Sequence, residues 1–211
     1  KNKKYFYYID RPYWGESRAT PYWMRCVKNQ HVKTFVDHRP DDRFKKQYKD
    51  EIKPFHKNGQ YVLVVPPSHA MAEMFDGKQW LQNTLKVLKE NTDREIVVRE
   101  KPYNPKAIID GEGKMVPGKS ANKQPARPFE WDKVHAVVTF NSSISIKALT
   151  NGVPAFANFD NPCMPVCEQD FTKIETPRYE DPRPVFNSLA YNQFTQEEFR
   201  NGYYIRILDE S

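Results

Sequence analysis

Residues 132–157 have the sequence DKVHAVVTFNSSISIKALTNGVPAFA, and this stretch decides the predicted fold. Residues 135–140, HAVVTF, are a short apolar, β-branched run without polar alternation, as in a strand covered on both faces. The polar turn NSS then supplies side chains that cap helices, and ISIKALT has the composition of a short packed helix. The pair NG permits a left-handed turn at the end of this helix, after which VPAFA is predicted to form a second strand. The stretch therefore predicts a strand–turn–helix–strand unit of an α/β protein.

The polar turn Asn141-Ser142-Ser143 is the first candidate binding site. It lies between the carboxyl end of a predicted strand and the amino end of a predicted helix. In an open parallel sheet such a turn attracts anionic ligands, because unpaired amides and the helix dipole both favour negative charge. The same residue types also serve as plain helix caps. The sequence predicts a phosphate-binding turn, with a simple cap as the alternative.

The run VVTFNSSISIKALTNGVPA resembles the donor-domain signature of GT-B glycosyltransferases. The resemblance is to capsular-polysaccharide and Kdo-transferase-like proteins and to their bacteriophage-encoded relatives. That family has a strand, a Ser-Ser turn, a helix with an acidic residue in its first turns, and a Gly-x-Pro exit. Lys147 stands where the family commonly has the acid that contacts the donor ribose. The resemblance implies that Lys147 meets a phosphate or a carboxylate of the donor instead.

The resemblance implies an α/β fold with a Rossmann-like parallel sheet flanked by helices, the GT-B donor domain. Residues 60–211 are expected to form this nucleotide-sugar-binding domain, with a C-terminal helix that crosses back. Residues 1–59 are then the remnant of an acceptor-side domain and a connector. This N-terminal part is expected to be reduced or truncated, and the chain begins with Lys1 rather than Met.

Hydrophobic periodicity predicts the other elements of the sheet. Residues 60–66 and 94–99 are short apolar runs typical of buried strands, and helical spacing of apolar residues predicts a helix over 78–91. Asp76 and Gln79 have the spacing of a capping box in front of that helix. This strand–helix–strand order predicts a right-handed parallel crossover.

The remaining segments lie outside this unit. Residues 5–9 are predicted as a buried strand, and residues 37–58 as an exposed, charged connector with a short helix. Residues 102–131 lack periodicity and are expected to form a loop over the cleft that binds the acceptor. Their GKS triplet lacks the glycine spacing and the preceding strand of a P-loop. Residues 185–208 are predicted to be helical, to end at Asn201-Gly202 and to serve packing.

The resemblance supplies further candidate binding residues. Ser68 and His69 follow the predicted strand at 60–66, in a loop that would face the nucleotide. Arg99 ends the next strand, where the family often has a base that meets the donor phosphates. Arginine suits this task because its planar fork holds phosphate oxygens in bidentate fashion. Lys101 is a second candidate, and for both bases simple exposure to solvent is the alternative.

A glycosyltransferase also needs a general base for the acceptor hydroxyl. Asp10 follows a predicted strand and is the first candidate, with His69 in reserve. Pairing with Arg11 or Arg18 is the structural alternative for Asp10. Amides and basic side chains can stabilise the departing phosphate without a metal. We therefore expect no cofactor, and a nucleotide sugar as the donor substrate.

The charge and hydropathy of the chain indicate which kinds of partner it binds. The net charge is +6, from 33 Lys and Arg against 27 Asp and Glu, which supports an anionic acceptor such as a polysaccharide or DNA. A phage-type enzyme that glycosylates modified DNA bases fits the same fold. The alternative is a non-catalytic DNA- or protein-binding module, because a fold does not establish activity. No apolar run reaches membrane-spanning length and no signal peptide is evident, so a cytoplasmic protein is expected.

Three cysteines, Cys26, Cys163 and Cys167, form neither an even framework nor a CxxC pair. We expect free thiols in a reducing compartment. A metal or redox site at Cys163 and Cys167 is the third functional alternative, although no nearby histidine completes a ligand set.

Overall fold

The structure is a computed structural model that describes residues 4–14, 22–99, 108–109, 115–116 and 129–209, with backbone only at 69–70, 108–109 and 115–116. Its strands are β1 Tyr7–Asp10, β2 Trp23–Lys28, β3 Tyr61–Val65, β4 Glu95–Val98, β5 Ile108–Ile109, β6 Met115–Val116, β7 Val134–Thr139, β8 Ala155–Ala157 and β9 Gln193–Thr195. Its α-helices are α1 Asp42–Gln47, α2 His69–Met74, α3 Trp80–Asn91, α4 Ile144–Thr150, α5 Arg183–Ala190, α6 Gln196–Arg200 and α7 Tyr203–Asp209.

Four strands form a parallel sheet in the order β4-β3-β7-β8. Successive residues of a strand point to opposite faces, and the two faces carry different helices. Val62 packs with Trp80 and Leu88 of α3 on one face. Leu63 packs with Ala148 of α4 on the other. The prediction of an α/β protein with a parallel sheet flanked by helices is confirmed, and the assignment of this sheet to a GT-B donor domain stays a prediction.

The strand–turn–helix–strand unit forms where its sequence predicts. β7 is buried along its whole length, and α4 has the predicted bounds Ile144–Thr150. Gly152 ends the helix with a φ of 72°, and the amide of Val153 donates to the carbonyl of Ala148 at 2.9 Å. This left-handed exit turns the chain directly into β8, next to β7 in the sheet.

The capping box predicted at Asp76 and Gln79 is wrong. Asp76 has a φ of 51°, and the amide of Gly77 donates to the carbonyl of Ala72 at 2.7 Å, so this turn closes α2. Gln79 precedes α3 without a side-chain cap. The cap in this region belongs to Ser68, whose hydroxyl accepts a hydrogen bond from the amide of Met71 at 3.4 Å.

A second, antiparallel sheet has the order β1-β2-β9 and joins the two ends of the chain. The prediction of helix over 185–208 is wrong at its centre, where β9 separates α5 from α6. Gln193 and Phe194 are fully buried there and pair with Arg25 and Met24 of β2. Burial and strand pairing with a distant segment outweigh the local helical pattern. The predicted division at residues 59 and 60 stays a prediction.

The charged segment at 37–58 is more deeply packed than predicted. Its helix α1 forms, but Arg43 and Phe44 are buried. The Arg43 guanidinium donates to the carbonyl oxygens of Ala190 and Gln193 and to the carboxylate of Glu198. One of the charges in this segment, that of Arg43, is therefore buried and paired with Glu198 of α6 rather than exposed to solvent.

Most of the segment predicted as a loop over residues 102–131 lies outside the described residues, including Lys114, Lys119 and Lys123. Within it, β5 and β6 pair antiparallel. Among the described helices, α3 is the longest with 12 residues, and none has both the length and the apolar character that a membrane crossing requires.

His135 of β7 makes stability depend on pH. It is 4% exposed, and its Nε2–H donates to the carbonyl of Ile174 at 2.8 Å. Burial, together with the charge of Arg94, lowers its pKa from the usual 6.5. The unfolded chain therefore binds more protons below pH 6.5, and the free energy of unfolding falls as the pH drops through that value, by up to ~1.4 kcal/mol per pH unit.

We expect this loss to be smaller in His135→Gln, measured by urea denaturation between about pH 7.5 and 5.5. His38→Gln, at an exposed histidine, should keep the wild-type slope. An unchanged slope in His135→Gln would assign the pH dependence to other groups.

Candidate functional site

A cleft of about 210 Å³ opens at the carboxyl ends of β3 and β7. The chain leaves β3 for β4 on one side, and it leaves β7 for β8 on the other side. The boundary between β3 and β7 is therefore a topological switch point, which is where open α/β sheets bind ligands. Side chains from β1, β2 and the loops after them line the opposite wall. The cleft thus lies between the parallel sheet and the antiparallel sheet.

The cleft brings together residues that are far apart in the sequence. Five of the candidate site residues line it: Asp10, Ser68, Asn141, Ser142 and Ser143. The other lining residues include Tyr8, Tyr13, Arg25 and His31, none of which is among the candidate site residues predicted from the sequence.

The turn before α4 is partly closed by its own side chains. The amide of Ser142 donates to Thr139 Oγ1, and Ser142 Oγ accepts from the amide of Ile144, both at 3.3 Å. The expectation of unpaired amides is wrong for these two, and Ser142 does cap the turn. Ser143 is the exposed N-cap residue and makes no side-chain cap. Asn141 and Ser143 are therefore the residues of this turn whose side chains can still hydrogen-bond to a ligand.

Asn161, which follows β8, holds this turn in place through its side-chain hydrogen bonds. It is fully buried, and its Nδ2 donates to the carbonyl of Ser142 at 3.2 Å. Its Oδ1 accepts from Ser145 Oγ at 2.8 Å and from the amide of Cys163 at 2.9 Å. A buried amide with several partners holds the turn in one conformation. The sequence marked this segment as a strand-end loop but did not identify Asn161.

Asp10 forms an ion pair in the cleft wall. Its Oδ2 lies 2.5 Å from Nη2 of Arg25, and its Oδ1 accepts from the backbone amide of Arg11 at 2.7 Å. Burial raises the pKa of this carboxyl, but the Arg11 amide and the Arg25 charge outweigh burial and lower the pKa below its usual value. The Arg18 side chain, the other predicted partner, lies outside the described residues. An acid held ionised in this way is a weaker proton acceptor than an unpaired one.

His31 adds a second titratable group to the cleft. Its ring packs edge-on against Tyr8 at 4.9 Å and lies 5.4 Å from the ring of Phe75. Burial, together with the charge of Arg25, lowers the pKa of His31 from 6.5. The imidazole is therefore neutral at neutral pH, the form that accepts a proton. Nothing in the local sequence identified it, because it reaches the cleft from a loop after a strand that was not predicted.

Arg99 does not line this cleft. Its amide donates to the carbonyl of Val64 at 2.9 Å, just beyond the end of β4. Its guanidinium lies 3.8 Å from the centre of the Phe129 ring, a cation–π contact. Arg99 thus lies at the same edge of the sheet as the cleft, but one strand farther out.

The other candidate residues are dispersed. Lys147 is exposed on α4 and is not a lining residue of the cleft. His69 begins α2, and its side chain lies outside the described part of the chain. Lys101 lies outside the described residues altogether.

The cysteines are buried thiols. Cys26, Cys163 and Cys167 are free. Burial raises the pKa of Cys26 and of Cys163 to about 12, so both stay protonated and unreactive. Within the described ranges, no group of three or more His, Cys, Asp or Glu side chains is arranged to hold a metal ion.

Comparisons of the chain with protein-family models, with curated proteins and with solved structures returned no significant match. The fold and the cleft together define an α/β protein with a polar cleft at the switch point of a parallel sheet.

Proposed function

We propose that the chain is a GT-B-type glycosyltransferase that moves a sugar from a nucleotide-sugar donor to a polysaccharide or a modified-DNA acceptor. The observation that supports it is the cleft at the switch point, where the signature turn Asn141-Ser142-Ser143 faces Asp10 and Arg25. A ligand that binds there meets hydroxyl and amide groups on one wall and a guanidinium on the other. These groups suit a phosphate joined to a sugar.

The residues of the cleft match the needs of sugar transfer. The acceptor hydroxyl forms a bond to the anomeric carbon, and the bond from that carbon to the donor phosphate breaks. The nucleotide leaves with the electron pair, and a positive side chain such as Arg25 stabilises the charge that develops on it. A base takes the proton of the hydroxyl. Asp10 is the base that the sequence suggests, and the neutral His31 adds a second candidate in the same cleft.

The first test is a thermal-shift screen with nucleoside diphosphates, cytidine monophosphate and their sugar conjugates. A ligand that binds the folded state raises its melting midpoint. Ser143→Ala should weaken the best ligand about three- to tenfold, because one hydrogen bond is lost while the turn keeps its cap at Ser142. Thr176→Ala, an exposed hydroxyl outside the cleft lining, is the matched control. If no member of the screen shifts the wild-type midpoint, the proposal is wrong.

A non-catalytic binding module is the second candidate function. The observation that favours it is the Asp10–Arg25 ion pair, because it lowers the basicity of the predicted base. Such a module would bind duplex DNA with an affinity that falls steeply as salt increases. It would neither hydrolyse nor transfer sugar from any donor. Donor turnover measured in the same protein sample decides between the two functions.

A further inference from the structure

Three buried polar atoms of residues that line the cleft have no hydrogen-bond partner among the described residues. They are the hydroxyl oxygen of Tyr13, Nε of Arg25 and Nδ1 of His31. Buried polar groups in native proteins are almost always paired, with protein, water or a ligand. Unmet hydrogen-bonding capacity at three side chains that line one cleft indicates a polar ligand there.

Arg25 is held in place while most of its donors stay available. Its guanidinium carbon lies 5.7 Å from the ring centres of both Tyr8 and Tyr13. The side chain is 13% exposed, and within the described part of the chain its one hydrogen bond goes from Nη2 to Asp10. A guanidinium presents several N–H donors in a rigid fork that matches the oxygens of a phosphate. Arg25 is thus preorganised for an oxyanion.

The wall of the cleft that contains the turn before α4 does not provide a comparable positive charge. α4 has seven residues, and the amides of Ser142 and Ile144 are already bonded within the turn. Lys147 is not among the residues that line the cleft. Arg11 also lines the cleft, but its side chain is exposed. Of the two arginines that line the cleft, Arg25 of β2 is therefore the one whose charge is largely shielded from water.

We propose that Arg25 binds a phosphate group of the ligand, and that Asp10, rather than acting as the acceptor base, is a positioning residue that orients Arg25 and competes with the ligand for it. This assignment rests on the proposed function where the phosphate belongs to a nucleotide sugar. It makes the N-terminal segment a part of the donor site. It also predicts that the two members of one ion pair affect phosphate binding in opposite directions.

The experiment is calorimetric titration of the full chain with pyrophosphate and with uridine diphosphate. Arg25→Gln should weaken binding of both about 10- to 100-fold, because a charge-assisted contact is lost. Arg25→Lys should recover only part of this affinity, since a lysine lacks the fork. Asp10→Asn should tighten binding several-fold, because it keeps an oxygen for Arg25 and removes a negative charge beside the ligand. Lys28→Gln, on the same strand but paired with Asp209, should match wild type.

Each outcome separates this inference from the proposed function. Tighter binding by Asp10→Asn with weaker binding by Arg25→Gln supports it, and simple misfolding would weaken both variants. If uridine diphosphate binds and Arg25→Gln leaves the affinity unchanged, the inference fails while the proposed function stands. If pyrophosphate binds through Arg25 but no nucleotide does, the proposed function fails and the phosphate site stands. If wild type binds neither probe, the inference is overturned.

Discussion

Gly152→Ala should destabilise the protein by roughly 2–5 kcal/mol, the sum of left-handed strain and forced overpacking. Gly152 has a φ of 72°, and a Cβ added there would lie 2.1 Å from the carbonyl oxygen of Pro54. The two segments are also joined by a hydrogen bond from the amide of His56 to the carbonyl of Gly152 at 3.1 Å. An added methyl group must therefore separate the exit of α4 from the segment that precedes β3.

Gly202 is a matched control for this effect. Its φ is 73°, and a Cβ added there would meet nothing within 4 Å. Gly202→Ala should cost only the left-handed strain, about 1–2 kcal/mol. Chemical denaturation of both variants measures the difference. Equal losses would show that the close approach of Pro54 does not constrain the chain.

Arg43→Ala should destabilise the protein by roughly 3–5 kcal/mol, the cost of breaking a buried ion pair by removing one partner. The Arg43 guanidinium lies 2.7 Å from the carboxylate of Glu198, with side-chain exposures of 9% and 18%. Its loss also leaves the carbonyl oxygens of Ala190 and Gln193 without this donor. Since Glu198 completes the capping box with Thr195, the start of α6 should loosen as well.

Lys45→Ala is the control on the same helix. Lys45 pairs with Asp41 at 2.7 Å, but its side chain is 71% exposed. An exposed pair of this kind contributes below about 1 kcal/mol, so the midpoint of denaturation should barely move. If Arg43→Ala loses no more stability than Lys45→Ala, the buried pair is not what fastens α1 to the C-terminal segment.

The N-terminal and C-terminal segments pack together in the antiparallel sheet, so a change in one segment should affect the other. β9 pairs with β2, and Asp209 of α7 accepts hydrogen bonds from Tyr7 and Lys28. The same sheet carries Arg25 into the cleft. Loosening the C-terminal segment, as in Arg43→Ala, should therefore also weaken ligand binding.

The sequence by itself determined the parallel sheet and the turn at Asn141-Ser142-Ser143. An unbroken apolar strand, a short helix and a glycine exit are local patterns, so β7, α4 and β8 follow from neighbours along the chain. It also placed Asp10 and Ser68 at strand ends, which is why both reach the cleft at the edge of the sheet. The roles of these residues remain predictions.

Only the tertiary structure decided the opposite wall of the cleft and the position of β9. Arg25 and His31 come from a strand and a loop that carry no local motif, and they meet the turn before α4 because the chain ends pair across the fold. Gln193 and Phe194 lie in a segment with helical spacing, yet burial against β2 makes them a strand. Such choices depend on contacts between residues more than a hundred positions apart, which the pattern of neighbouring residues does not encode.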